Sequence, residues 1–66
     1  MDQQGAINIA KGAGYGIIYS ANPKGYIVIH RWSDDSTEEE LFGSYDDCIE
    51  RLAQIGYEVL ESALGI

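Results

Sequence analysis

The stretch "YGIIYSANPKGYIVIHRW", residues 15–32, does most to limit the folds open to this chain. Two runs rich in β-branched and aromatic residues flank "ANPKG", an order that reads as strand, turn, strand. Pro23 presets φ for the second position of a turn, Asn22 tolerates a left-handed conformation, and Gly25 accepts positive φ. An isolated hairpin is marginal in water, so the rest of the chain must cover it.

The best cover is the segment 44–56, "SYDDCIERLAQIG". Ser44 is a good N-cap, and Asp46 and Asp47 lie in the first turn, where the helix dipole favours negative charge. Tyr45, Cys48, Ile49, Leu52 and Ile55 recur at helical spacing and define one apolar face. Asp47 and Arg51 are spaced for an i,i+4 ion pair, and Gly56 is placed to end the helix. Before it, "SDDS" (33–36) reads as a turn. "TEEELFG" (37–43) favours a third strand, because a helix there would have almost no apolar stripe to bury. After it, "YEVLES" (57–62) reads as a short last strand, and "ALGI" as a tail that frays or packs on the sheet. Residues 1–13 are expected to be a flexible lead-in or a weak extra strand, from the alternation of Ile7 and Ile9 around Asn8. The expected fold is therefore one small α+β domain spanning 1–66. An antiparallel sheet of three to four strands carries one helix on one face.

One helix covers only one face of a sheet. If Ile18, Ile27 and Ile29 meet it, the other face displays Tyr15, Ile17, Tyr19, Tyr26, Val28, His30 and Trp32. The opposite register buries the aromatics and exposes three isoleucines. Either arrangement leaves a face apolar enough to attract a partner. Size points the same way, since a chain of 66 residues buries only about 60% of its unfolded surface. Cys48 is the lone cysteine, so no internal disulfide can help. A homodimer is expected on these grounds.

Charge is unevenly placed. Residues 1–32 carry Asp2 against Lys11, Lys24 and Arg31, a balance of +2, whereas residues 33–66 carry ten acids against Arg51 alone, a balance of −9. Duplex DNA and anionic membrane would be repelled, and a protein partner with a basic surface is favoured. No secretory signal and no membrane-length apolar run are visible, so the default expectation is a soluble cytoplasmic protein.

Catalytic and metal chemistry find little support. "GAGYG" lacks the third glycine of a dinucleotide fingerprint and precedes a strand. One histidine and one cysteine are too few for a structural zinc site, and "DDSTEEE" lacks the ligand spacing of a calcium loop. Cys48 falls on the apolar helix face, where a thiol acts as a small hydrophobe. No enzyme activity, metal or cofactor is expected. Two candidate surfaces remain. The first is acidic: Asp34, Asp35, Glu38, Glu39, Glu40, Asp46, Asp47 and Glu50. In a strand Glu38 and Glu40 lie about 6.8 Å apart, and on a helix Asp46 and Glu50 about 6 Å, comparable with successive phosphates. The second is the aromatic sheet face of Tyr15, Tyr19, Tyr26, His30 and Trp32. The expected function is a small acidic interaction module, in its stronger form an inhibitor or regulator that docks on a partner's nucleic-acid-binding surface. Single-stranded nucleic-acid binding through the aromatics, or a purely structural self-assembly role, are the alternatives.

Overall fold

The computed structural model describes residues 2–65. The order of elements is α1 (Gln3–Gly12), β1 (Tyr15–Ala21), β2 (Lys24–Arg31), β3 (Thr37–Phe42) and α2 (Tyr45–Leu64). The three strands form an antiparallel meander in the order β1-β2-β3, and both helices lie on one side of it. The fold is α+β, with the hairpin and the third strand in the expected places. Asn22 and Pro23 form the hairpin loop, joined by a cis peptide bond. Pro23 is thus the second of the two loop residues, not the first.

Three expectations are corrected. Residues 3–12 form a helix, not a flexible lead-in or weak strand. Asp2 caps it by accepting a hydrogen bond from the Gly5 amide at 2.8 Å, and Ala6, Ile7 and Ala10 make its buried stripe. The alternation of Ile7 and Ile9 is incidental to that helical repeat. Second, residues 57–62 do not form a fourth strand. α2 runs through them to Leu64, and Gly65 closes it in a left-handed C-cap with φ 74°. Ala63 and Leu64 therefore belong to a helix, whereas Met1 and the tail's Ile66 lie outside the described residues. Third, Gly56 does not terminate α2 but sits inside it, for a packing reason. A Cβ on Gly56 would stand 1.8 Å from the Ala6 carbonyl oxygen and 2.9 Å from the Ala6 Cα. The missing side chain lets α1 cross α2 backbone to backbone, with Ala6, Ala10 and Ala53 buried in the core around it.

Register settles the faces of the sheet. Tyr15 pairs with His30, Ile17 with Val28 and Tyr19 with Tyr26; across β2, Tyr26 pairs with Phe42, Val28 with Glu40 and His30 with Glu38. These residues share the helix side, where Val28 joins Cys48, Leu52 and Ile55 of α2 and Ile7 of α1 in the core. The aromatics therefore lie toward the helices, and the uncovered side carries Ile18, Ile27, Ile29 and Leu41. The physical reason is the unexpected second helix. Two helices make a broad layer, and Tyr15, Ile17, Tyr26 and Phe42 pack against the core beneath it.

Candidate functional site

The acidic residues trace a strip along one edge of the molecule. β3 is an edge strand, and every residue from Thr37 to Leu41 is exposed. Its length is about 17 Å at strand rise. Asp34 and Asp35 occupy the β2–β3 loop at one end. Glu38 and Glu40 project to the helix side and Glu39 to the open side. Asp46, Asp47 and Glu50 lie on the first two turns of α2, where Asp47 and Glu50 border Phe42 of β3. All eight are exposed. Phe42, Asp47, Glu50, Arg51 and Gln54 line a shallow groove where the strand meets the helix.

Local hydrogen bonds fix the strip's ends. Asp34 Oδ1 accepts from the Ser36 hydroxyl at 2.6 Å and from the Ser36 amide at 3.0 Å, which holds its carboxyl below the ordinary carboxylate value. Ser44 Oγ accepts from the Asp47 amide at 3.2 Å, capping α2. Arg51, the one cation of this half of the chain, does not form the expected pair with Asp47. It reaches across to Glu40 at 3.2 Å, donates to Gln54 at 2.8 Å and approaches Glu58 at 4.0 Å. Glu40 is thereby tied to the helix, while the other acids of the strip make no ion pair among the described residues.

The five aromatic candidates do not form one platform. The structure divides them between the two ends of the helix-side face. At one end His30 is buried, stacked on Tyr15 with centroids 3.9 Å apart and planes 4° from parallel, and Trp32 meets it edge-on at 4.1 Å. His30 Nε2 lies 3.1 Å from the Ala13 carbonyl oxygen. A carbonyl only accepts, so Nε2 carries the proton, and the buried Nδ1 has no partner among the described residues. A cleft of about 280 Å³ opens beside this cluster, lined by Val28, His30, Glu38, Glu40, Arg51 and Ile55 among others. Glu40 is tied to Arg51, His30 Nδ1 is shielded from solvent, and carboxylates of β3 line the cleft.

At the other end Tyr19 and Tyr26 meet edge to face at 5.5 Å, and Tyr26 meets Tyr45 of α2 in the same manner at 5.7 Å. Tyr45 was expected in the buried stripe of the helix, yet it is 50% exposed. Helical side chains lean toward the helix N-terminus, so the first residue after a cap leans past the end of the buried stripe, and Tyr45 meets Tyr26 of β2 at the margin of the core. That direction was the available signal.

Cys48 is fully buried, and burial first, with the nearby charges of Asp47 and Glu40, pushes its thiol above the ordinary value. Among the described residues no three His, Cys, Asp or Glu side chains group as metal ligands, and no helix is long and apolar enough to cross a membrane. Comparison with protein-family models, curated proteins and solved structures found no match to this chain.

Proposed function

We propose that this protein is a small non-catalytic interaction module whose acidic strip docks on a basic surface of a partner protein. The observation that carries the reading is the strip itself. Acids from the β2–β3 loop, an edge strand and the start of a helix line one edge, and the one cation among them is held by Glu40. Such a surface repels nucleic acid and steers cationic surfaces toward it. In its stronger form the module inhibits or regulates the partner by occupying a groove that otherwise holds phosphates. The test is a pull-down with the native chain and with a Glu38→Lys, Glu39→Lys, Asp46→Lys, Glu50→Lys variant, each run at low and high salt. Partners should be retained by the native chain at low salt only. The same partners on both baits at both salts would refute the proposal.

A second surface supports self-association. Ile18 and Leu41, 43% and 48% exposed, flank Ile27 on the open side of the sheet, one row from Ile29. The chain exposes 4510 Å², against about 4,200 Å² for a compact monomer of its mass. Its radius of gyration is 12.2 Å, against about 11 Å for a compact domain of its length. A second copy stacked on this face would bury the isoleucines and convert the two layers into a four-layer homodimer.

A further inference from the structure

We infer that the outer edge of β3 takes up an extended basic segment of the partner as an added strand. The inference rests on the reading of the acidic strip as a dock, and it names the form in which the partner binds. β3 ends the sheet, so no strand pairs with its outer side. The ladder decides which of its backbone groups face outward. The Arg31 amide donates to the Gly14 carbonyl oxygen at 3.0 Å, which turns the backbone groups of Arg31, Ile29 and Ile27 toward β1. Alternate residues of a strand bond to opposite neighbours, so Tyr26, Val28 and His30 bond to Phe42, Glu40 and Glu38. The Trp32 amide, which donates to the Ser36 carbonyl oxygen at 2.9 Å, keeps the same alternation. Thr37, Glu39 and Leu41 are left with their N–H and C=O groups pointing away from the sheet, and all three residues are exposed. An open row of this kind is a template for strand addition.

Charge selects the occupant. An added strand sets one side chain beside each residue of β3, and opposite charges in such pairs stabilise whereas like charges destabilise. A second β3 laid antiparallel about Glu39 would set Glu38 against Glu40 and Glu39 against its counterpart, so another copy of this edge is repelled. Glu38, Glu39 and Glu40 favour three consecutive cations, and Leu41 favours an apolar residue on the open side. Asp47 and Glu50 border Phe42 in the groove, which favours a further cation at that end. In the antiparallel direction the segment therefore reads cation, apolar residue, then three cations.

The experiment follows the fluorescence anisotropy of a labelled peptide, Lys-Val-Lys-Lys-Lys-Thr, and of two N-methylated isomers of it, at low salt with the full chain. One isomer is methylated on the valine and the middle lysine of the triplet, whose amides would donate to Leu41 and Glu39. The other is methylated on the first and third lysines of the triplet, whose amides would face away from β3. The isomers are identical in charge and composition, so only backbone pairing separates them. The unmodified peptide and the outward-methylated isomer should bind within about two-fold of each other, and the inward-methylated isomer at least about ten-fold more weakly, as the loss of two hydrogen bonds implies. Equal binding of the two isomers overturns strand addition and leaves the acidic dock standing. Failure of all three peptides to bind overturns the dock as well. A labelled copy of Tyr15–Ala21, the strand at the other edge of the sheet, tests a second chain as the occupant. Tighter binding of that copy than of the basic peptide overturns the inference in favour of edge-to-edge self-association.

Discussion

Replacing Gly56 with alanine tests the helix crossing most directly, because two effects of opposite sign meet at that position. In a free helix Gly→Ala stabilises by about 1 kcal/mol. Here the added methyl would lie 1.8 Å from the Ala6 carbonyl oxygen and 2.5 Å from the Ala6 carbonyl carbon. Ordinary carbon contacts lie at roughly 3.5–4.0 Å, so the two helices must part by over an ångström. The obstruction is backbone, not a side chain that can turn aside. Parting the helices loosens Ala6, Ala10, Cys48, Leu52 and Ala53 together. Overpacking of this kind costs about 1–3 kcal/mol or more, and the obstruction puts Gly56 at the upper end. A net loss of about 2 kcal/mol is expected after the propensity gain. Sixty-six residues correspond to a total stability of about 3–10 kcal/mol, so the loss is a large share. Tm should fall by roughly 8–16 °C. Gly12, at the end of α1 with open space where a Cβ would stand, is the control. Gly12→Ala should be neutral or stabilising by up to about 1 kcal/mol. Urea and thermal unfolding followed by far-ultraviolet circular dichroism read both variants. A Gly56→Ala protein as stable as the native chain would refute the close crossing.

The Cys48 thiol, buried and raised, should react with a thiol reagent at neutral pH only as fast as the chain unfolds; rapid labelling of the folded protein would place it elsewhere. The Asp34 carboxyl is held low by Ser36, so its contribution to loop order is present above the unfolded carboxylate value and is lost as pH falls through the lowered folded one. Carbon-detected magnetic resonance should find its midpoint below the ordinary value, and Ser36→Ala should raise it; no change would remove the hydrogen bond from the account. Ile18→Lys with Leu41→Lys should yield a concentration-independent monomer in sedimentation where the native chain self-associates. A native chain that is already monomeric at high concentration would end the dimer proposal.

What was legible in the sequence had a local cause. The hairpin announced itself through Asn22, Pro23 and Gly25, α2 through Ser44 and the acids after it, and β3 through the absence of an apolar stripe. What was missed had distant causes. Gly56 reads as a helix stop unless the backbone of α1 is known to lie on it. α1 itself is faint, because Ala6 and Ala10 supply two of its three buried residues and carry little hydropathy signal. The choice of sheet face was open because both faces of the hairpin are apolar, and the second helix decided it. Of the candidate site, the acidic surface was read from charge alone. The aromatic face was not, because alternation says which residues share a side and is silent on which end a helix covers.

The two proposed surfaces point in different directions, and this bears on how they act together. Glu38 and Glu40 lie on the helix side of the sheet, Ile18 and Ile27 on the other. A pair of protomers joined through the isoleucine face therefore keeps these carboxylates of both strips outside the interface. Such a pair engages a repeated basic surface twice, and the second contact is then intramolecular, which raises apparent affinity without any new contact in either strip. A lysine at Ile18, on the far edge strand from the acids, would consequently weaken docking on an immobilised basic surface while leaving binding of a single short basic peptide unchanged. Loss of both together would instead mean that the open face contacts the partner itself.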